Sequence, residues 1–261
     1  MEAAYALVSG GSSGIGYAIA TALAKRKFNL VLVARNITKL EDAKKNLESL
    51  FHVHVEILLF DLSIEESAAS IAGWCMQKNI SIKMLCNVTG IGGTNDYLSI
   101  SLADTRYMLR LNTDSAVALT YCMLPLLRKS SPSYILNVSS LAGFAPMSMK
   151  NIYSATKSAI IFFSYSLRYQ LREDNVSVSC LCPGPVFTKP GIEAATMNKL
   201  GWFGKQMSVP VLQVGETAIK NTLRGKMLII PGKLSSVISM LLRLAPANLF
   251  NALNKTFRDN K

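Results

Sequence analysis

Residues 9–16 read SGGSSGIG, and this glycine-rich stretch follows a short apolar run, AYALVS, at residues 4–9. Its glycines permit a tight turn and let a pyrophosphate approach the backbone where the next helix begins. A strand, such a turn and a helix are typical of the first unit of a dinucleotide-binding sheet. The stretch therefore predicts a dinucleotide site, although an ordinary glycine-rich turn is the alternative. The residues expected at this contact are Gly10, Ser12, Ser13, Gly14, Ile15 and Gly16.

Strand-like and helix-like segments alternate along the rest of the chain. The further strand-like runs are LVLVA (30–34), VHVEILLF (53–60), KMLCNV (83–88), YILNVS (134–139), VSVSCLCP (176–183) and MLIIP (227–231). Capping boxes at Thr38–Glu41, Ser63–Glu66 and Ser101–Asp104 predict the starts of three helices between them. The alternation predicts an α/β fold, a Rossmann-type doubly wound parallel β-sheet of about seven strands with helices on both faces. Because no repeat or linker interrupts it, we expect one domain over residues 1–261.

A tyrosine and a lysine stand four residues apart in NIYSATKSA, residues 151–159. Positions i and i+4 lie on one face of a helix, so the side chains of Tyr153 and Lys157 should be neighbours. A free phenol ionises near pH 10, but a cation one helical turn away favours the phenolate. The pair is a candidate acid–base centre. On spacing alone, the alternative of a tyrosine packed on the core beside a solvated lysine remains open.

Together, the glycine spacing Gly-x-x-x-Gly-x-Gly and the Tyr-x-x-x-Lys pair resemble the short-chain dehydrogenase/reductase (SDR) family, in its short single-domain branch. Further motifs of that family follow in order. They are FDL (60–62), NVTG (87–90) where the family usually has Asn-Asn-Ala-Gly, NVSS (137–140) and PGPVFT (183–188). The resemblance covers roughly residues 4–190 and, more loosely, the remainder.

The resemblance implies an oxidoreductase in which hydride passes between nicotinamide and a carbonyl carbon. Tyr153 would donate the proton, and Ser140, at the family's usual thirteen-residue separation, would hold the carbonyl. Lys157 would lower the pKa of the tyrosine and contact the ribose, and Asn112 would anchor a water in the proton relay. The remaining cofactor contacts that the resemblance implies are Asp61, Leu62, Asn87, Gly90, Pro183, Gly184, Val186 and Thr188.

The end of the second predicted strand, LVLVARN at residues 30–36, bears on the choice of cofactor. An acidic residue here would bind the free adenosine ribose and repel a 2′-phosphate, whereas the guanidinium of Arg35 suits a phosphate. Ser12 could add a hydroxyl contact. We therefore expect NADP(H), and reduction as the direction of reaction. NAD(H) is the alternative cofactor, and a plain surface arginine is the alternative interpretation of Arg35.

Residues 189–213 fall where the family has its variable substrate lid. The stretch is rich in large apolar side chains, namely Ile192, Met197, Leu200, Trp202, Phe203 and Met207. An apolar, adaptable wall favours a hydrophobic ketone such as a 3-oxoacyl chain or a ring ketone, unless the loop simply packs on the core. Two other functions stay open, an NAD-dependent alcohol dehydrogenase and a non-catalytic dinucleotide-sensing protein. A sensor has no need of all four predicted catalytic residues.

Charge suggests further partners. The chain carries a net charge of +12, and residues 188–261 contain eleven Lys or Arg against three Asp or Glu. Such an excess attracts polyanions, for example a coenzyme A or carrier-protein thioester or an anionic membrane, unless it is an ordinary solvated face. No nucleic-acid recognition motif occurs, so we expect no nucleic-acid partner. For assembly, the resemblance implies a homodimer or homotetramer, through the helices at about residues 102–129 and 151–173.

The segment at residues 234–261 is predicted to be amphipathic. Apolar residues recur with helical spacing at Leu234, Val237, Ile238, Leu241, Leu242 and Ala245. Pro246 should end that helix, so the stripe is too short to span a bilayer. The segment either packs on its own domain or a second subunit, or lies on a membrane surface as a peripheral anchor.

Other chemistries find little support. The two histidines, His52 and His54, begin the third predicted strand, roughly 20 Å from the cofactor edge at about 3.3 Å per residue. That distance argues against a Ser-His-Asp triad or a histidine-based zinc site. Five cysteines without a CxxC pair suggest reduced thiols, and we expect no metal. The N-terminus lacks a basic region typical of signal peptides, so a cytoplasmic protein is expected, with peripheral membrane association as an option.

Overall fold

The computed structural model describes residues 4–93, 97, 99–186, 208–245 and 250. The strands are β1 (Tyr5–Ser9), β2 (Asn29–Ala34), β3 (Val55–Leu59), β4 (Ile82–Asn87), β5 (Ser133–Val138), β6 (Val176–Leu181) and β7 (Leu228–Ile229). The helices are α1 (Gly14–Ala24), α2 (Ile37–Phe51), α3 (Ser67–Gln77), α4 (Leu102–Leu109), α5 (Ser115–Lys129), α6 (Asn151–Gln170), α7 (Val211–Thr222) and α8 (Lys233–Leu244).

All seven strands are parallel and form one sheet in the order β3-β2-β1-β4-β5-β6-β7. This confirms the predicted fold class, and each predicted strand-like run contains a strand. The chain moves outward from β1 to β3 and then returns to place β4 on the other side of β1. Strand order therefore reverses between β1 and β4, which is where a doubly wound sheet opens a crevice beyond its carboxyl edge.

The core lies on both faces of the sheet because strand side chains point alternately to opposite sides. In β1, Leu7 packs towards α3 and α5, whereas Ala6 and Val8 pack towards α1, α2 and α7. All three side chains have no solvent exposure. Burial on both faces explains why β1 and β2 read as continuous apolar runs rather than as alternating patterns.

Helices α1 and α7 approach each other unusually closely. A Cβ atom at Gly215 of α7 would lie 2.3 Å from the carbonyl oxygen of Ala18 in α1, so only glycine permits this contact. Beside it, Arg26 at the end of α1 forms an ion pair with Glu216. The first helix of the chain is thus held in place by a helix almost two hundred residues later.

One of the three predicted capping boxes begins a helix as expected. The Ser101 hydroxyl accepts a hydrogen bond from the Asp104 amide at 3.0 Å and donates one to the Asp104 carboxylate at 2.7 Å. The other two predictions are wrong. Helix α2 begins after Asn36, whose side chain accepts from the Lys39 amide and is a strong capping residue.

The hydroxyl of Ser63 donates instead to the Asp61 carboxylate at 2.7 Å, and α3 begins only at Ser67. In both failed boxes, a neighbouring polar residue supplied the competing hydrogen bond.

Candidate active site

The glycine turn between β1 and α1 has the shape of a phosphate cradle. Gly10 and Gly14 have positive φ angles of 68° and 55°, which L side chains rarely adopt. A Cβ atom at Gly16 would lie 2.0 Å from the Gly10 carbonyl oxygen. Ser13 precedes α1 in an extended conformation, and its side chain does not cap the helix. The amides of the first turn are therefore available to an anion, and these residues fit a pyrophosphate.

The loop after β4 closes against this turn. The Ser9 hydroxyl accepts hydrogen bonds from the amides of Val88 at 2.9 Å and Thr89 at 3.1 Å. The Thr89 backbone would lie 3.3 Å from a Cβ atom at Gly10. Val88 and Thr89 are the positions that depart from the family's usual motif, and the loop nevertheless stays tied to β1.

The side chain of Asn87, a predicted cofactor contact, is buried within the sheet. Its amide nitrogen donates to the Asn137 side-chain oxygen at 2.8 Å and to the Thr120 hydroxyl at 2.9 Å. These bonds join β4 to β5 and α5. Any contact from Asn87 to a cofactor would therefore come from its backbone.

Arg35, the predicted partner of the 2′-phosphate, contacts Asp61, another predicted cofactor residue. The guanidinium of Arg35 lies 3.4 Å from the Asp61 carboxylate, hydrogen-bonds the Tyr107 hydroxyl and sits 5.8 Å from the centre of the Tyr107 ring. Burial raises the pKa of Asp61, but hydrogen bonds from Ser63 and the nearby Arg35 outweigh it and leave the pKa below its usual value. The pair presents an oriented, half-exposed guanidinium at the end of β2.

The remaining predicted cofactor contacts lie around the same edge. The side chain of Leu62 is buried in the core, which leaves its backbone for a ligand. The carbonyl of Pro183 accepts from the Leu141 amide at 3.0 Å, and Gly184 and Val186 follow half-buried. Thr188 lies outside the described residues, as does the predicted lid up to residue 207.

The predicted acid–base pair occupies the start of α6. The ammonium of Lys157 lies 5.9 Å from the centre of the Tyr153 ring and donates to the Val138 carbonyl at 3.0 Å. Lys157 is only 5% exposed. The Ser140 hydroxyl is within hydrogen-bonding reach of the Tyr153 phenol. Three of the four predicted catalytic side chains thus meet at the carboxyl ends of β4 and β5.

Asn112, the fourth, reaches the same place through a wide π-helical turn, Arg110–Asp114, between α4 and α5. Such turns are frequent at functional sites. Its side-chain oxygen accepts from the Ile91 amide at 2.7 Å, and its nitrogen donates to the Ile91 carbonyl at 2.8 Å and to the Thr156 hydroxyl at 3.3 Å. The side chain therefore fixes the loop after β4, while the predicted role of Asn112 in holding a relay water stays a prediction.

Gly90 leaves the space in which these groups converge. A Cβ atom here would lie 3.0 Å from the Asn112 side-chain oxygen and 3.3 Å from the Lys157 ammonium nitrogen. The predicted cofactor residue Gly90 is therefore in contact with the predicted catalytic residues, and a larger side chain would push them apart.

The expected direction of the tyrosine pKa shift is wrong in this structure. Burial raises the pKa of Tyr153, the hydrogen bond from Ser140 opposes the rise, and the nearby Cys182 adds to it. Burial also lowers the pKa of Lys157 to about 8. The spacing of the two residues indicated a stabilised phenolate, but spacing contains no information on burial. A phenol that keeps its proton at neutral pH is suited to donating it.

Sequence reasoning missed Lys150, which lies three residues before Tyr153. Its ammonium is 5.8 Å from the centre of the tyrosine ring, about as close as that of Lys157. Lys150 and Tyr153 line a small recess together with apolar residues that include Ile100, Met108 and Ile152. On a helix, the three-residue spacing between Lys150 and Tyr153 would place both side chains on one face, and this signal was present in the sequence.

A doubly wound sheet, a glycine cradle at its switch point and a Ser–Tyr–Lys group beyond its carboxyl edge define the class of nicotinamide-dependent dehydrogenases. The chain matches the short chain dehydrogenase family over residues 4–198. It therefore belongs to that family.

Two curated relatives illustrate the range of similar proteins. The very-long-chain 3-oxoacyl-CoA reductase of Mus musculus is 30% identical over 200 residues, which cover 75% of this chain and 64% of the relative. The chain thus spans under two thirds of that enzyme. The NADP-dependent 3-hydroxy acid dehydrogenase of Schizosaccharomyces pombe is 31% identical over 185 residues, covering 70% of this chain and 71% of the relative.

A solved structure matches over nearly the whole length. The short-chain dehydrogenase from Sphingobium yanoikuyae in complex with NADPH is 26% identical, with a TM-score of 0.78, and the match covers 98% of this chain and 94% of that one.

Proposed function

We propose that this protein is an NADPH-dependent carbonyl reductase that acts on a hydrophobic ketone, such as a 3-oxoacyl chain or a ring ketone. The observation that carries the proposal is the half-buried Tyr153, whose pKa desolvation raises, beside Ser140 and the buried Lys157. This group lies within the crevice that the glycine cradle borders. General acid catalysis needs a proton donor of this kind within reach of the substrate oxygen.

The reaction follows from the positions of these side chains. The Ser140 hydroxyl donates a hydrogen bond to the substrate carbonyl oxygen and orients it next to the Tyr153 phenol. Bound NADPH supplies the hydride that reduces the carbonyl carbon. Tyr153 transfers its proton to the oxygen as negative charge develops there, and the Lys157 ammonium stabilises the phenolate that remains. The product is an alcohol, and the phenol regains its proton from solvent.

The residues present fit a phosphorylated dinucleotide. The turn at Gly10–Gly16 would hold the pyrophosphate, and Arg35 would bind the 2′-phosphate. Asp61 and Tyr107 orient the Arg35 guanidinium, but Asp61 also brings a negative charge close to the phosphate site. This charge weakens the preference for NADPH and keeps NAD(H) as the alternative cofactor.

The substrate class is supported by the apolar side chains of Ile100, Met108 and Ile152, which lie near Tyr153 at the surface of the cleft. Lys150 adds a cation close to the reacting group. A hydrophobic carbonyl compound with an anion close to the carbonyl, such as a 3-oxo acid, satisfies both features, and a 3-oxoacyl thioester of coenzyme A or a carrier protein satisfies the first. The names of the mouse and yeast relatives, a 3-oxoacyl-CoA reductase and a 3-hydroxy acid dehydrogenase, agree with this class.

The test is a panel of 3-oxoacyl thioesters and neutral ring ketones, each assayed with NADPH and with NADH. We expect reduction of at least one class, with NADPH favoured in kcat/KM. The panel also includes 3-oxo acids, whose carboxylate lies close to the reacting carbonyl. Lys150→Met should raise KM for these acids by up to about fivefold and leave neutral ketones unaffected. The matched control is Lys129→Met, at an exposed lysine on α5. Tight NADPH binding without turnover of any carbonyl would instead favour the dinucleotide-sensing alternative.

We further propose that the chain forms a homodimer or homotetramer through α5 and α6. Both helices expose large side chains, with Tyr121 and Tyr169 each 80% exposed and Phe162 67% exposed. Aromatic residues of this kind are typical of subunit interfaces. Light scattering of the wild type and of Phe162→Asp tests this, since the charged variant should dissociate.

Five unpaired cysteines support a reducing compartment such as the cytoplasm.

A further inference from the structure

Helix α8 (Lys233–Leu244) is oriented with polar residues inward and apolar residues outward. Ser235 and Ser239 are buried, at 0% and 2% exposure, and their side of the helix packs on the protein. The opposite side exposes four large side chains at spacings of three and four residues. This outer stripe consists of Val237, Met240, Leu241 and Leu244, exposed by 57%, 63%, 62% and 74%.

The polar and apolar sides of α8 are reversed relative to those of a helix that packs on its own domain. A surface helix of a globular protein normally buries its apolar side and exposes its polar side. Here Leu234, Ile238 and Leu242 are half-buried at the margins, and the most apolar face has no cover from the described residues. A contiguous exposed apolar stripe of this kind indicates an interaction surface.

Charge identifies the partner that fits. Helix α8 contains Lys233 and Arg243, both exposed, and no acidic residue. From residue 220 to residue 261, the sequence contains eight Lys or Arg and one acidic residue. Two copies of this surface would repel each other, which disfavours self-association through the stripe. An anionic lipid surface attracts the charges and accepts the apolar side chains at its headgroup boundary.

The position of α8 relates this surface to the reaction. Helix α8 packs on the turn Leu141–Phe144, which begins immediately after Ser140. The outer stripe therefore lies on an element that contacts the catalytic turn. Within the described ranges, each helix is too short or too polar to cross a bilayer, so attachment through α8 would be confined to the membrane surface.

We propose that the outer stripe of α8 docks on the surface of an anionic membrane, with Lys233 and Arg243 meeting lipid headgroups. The inference is independent of the carbonyl chemistry, because it rests on the exposed face of α8 alone. If the proposed function also holds, docking brings the catalytic turn close to a source of lipid-like ketones.

The experiment is cosedimentation of the full chain with vesicles of phosphatidylcholine alone or mixed with phosphatidylglycerol. We expect binding to the anionic vesicles that weakens at high salt. Met240→Glu/Leu241→Glu should lower the partition coefficient by at least about tenfold. Lys233→Glu/Arg243→Glu should lower it by about fivefold or more for each charge. The matched control is Leu50→Glu/Leu59→Glu, at exposed leucines outside α8, which should bind as the wild type does.

Circular dichroism shows whether each variant is folded, and light scattering shows whether the outer stripe binds a second copy of the chain instead of a membrane. A folded Met240→Glu/Leu241→Glu variant that still pellets like the wild type would overturn the proposal. So would a variant that changes only the oligomeric state, since the stripe would then bind a second copy. A chain ending at Ala245 that pellets while the full chain does not would show that residues 246–261 cover the stripe, and this too would overturn it.

Discussion

The two ends of the proposed cofactor cleft are built in different ways. At the catalytic end, Lys157 is buried and bonded to a backbone carbonyl, and Asn112 uses its side-chain amide within the protein. At the adenosine end, the Arg35 side chain is 52% exposed and, among the described residues, is held by Asp61 and Tyr107. Electrostatic interactions are strong in the buried region and screened by water in the exposed one. Substitutions should therefore have large effects at the first end and small effects at the second.

The largest effect is expected for Tyr153→Phe. Without its hydroxyl, the side chain cannot donate the proton, so carbonyl reduction should fall by at least about 10²-fold while NADPH binding persists. Steady-state kinetics and a fluorescence titration of NADPH measure the two quantities. Tyr134→Phe, at the end of β5 opposite the site, is the control and should behave as the wild type. Unchanged turnover of the Tyr153→Phe variant would remove this tyrosine from the mechanism.

The next largest effect concerns pH and Lys157. Burial lowers its pKa from 10.5 to about 8, so the unfolded chain binds more protons than the folded one between those values. Burying the charged ammonium therefore destabilises the folded state fully below pH 8. This destabilisation decreases as pH rises towards 10.5, because the folded protein then holds the neutral amine. Relative to Lys157→Met, the free energy of unfolding of the wild type should increase over that window, by on the order of 3 kcal/mol.

Urea unfolding at several pH values measures this difference, with Lys129→Met as the exposed-lysine control. If the wild type instead loses stability relative to Lys157→Met above pH 8, the pKa of Lys157 is not lowered by burial.

An intermediate effect is expected at the glycine cradle. In Gly16→Ala, the new Cβ atom would overlap the Gly10 carbonyl, so the turn must shift and NADPH binding should weaken by about tenfold or more. Isothermal titration calorimetry measures the dissociation constant. Gly73→Ala is a matched control, because a Cβ atom in the middle of α3 meets nothing within 4 Å. Equal weakening in both variants would point to a general loss of stability.

The smallest effect is expected at the exposed end. Arg35→Asp should reduce the ratio of kcat/KM for NADPH to that for NADH by about fivefold to tenfold, because it replaces a phosphate partner by a like charge in a screened position. Arg172→Asp, at an exposed position after α6, controls for net charge. If the ratio is unchanged, Arg35 does not bind the 2′-phosphate.

The fold was predictable because its determinants are local or periodic. Strands β1 and β2 are buried on both faces, which produces uninterrupted apolar runs, and the glycine turn needs three fixed positions. Helix starts were less predictable. Asn36 caps its helix two residues before Thr38, and Asp61 accepts from the Ser63 hydroxyl that was expected to cap the next helix. The sequence alone does not rank such competing caps.

The sequence predicted which residues would lie close together beyond β4 and β5, but not the pKa values of their side chains. The motif spacing brought Asn112, Ser140, Tyr153 and Lys157 together correctly. The direction of the Tyr153 pKa shift depends on how completely the phenol is buried, which the spacing does not contain. The contact between Arg35 and Asp61 joins residues 26 positions apart, and only the register of β2 and β3 brings them together.

The tight contact between Gly215 of α7 and Ala18 of α1 has a consequence for the order in which the chain folds. During synthesis, the phosphate cradle and α1 emerge first. Helix α7, which packs against α1, emerges almost two hundred residues later. Contacts between such distant segments form slowly because a long loop must close first. The nascent chain should therefore acquire its affinity for a dinucleotide only once α7 has been made, and fragments that end before residue 211 should expose the apolar side of α1 to chaperones.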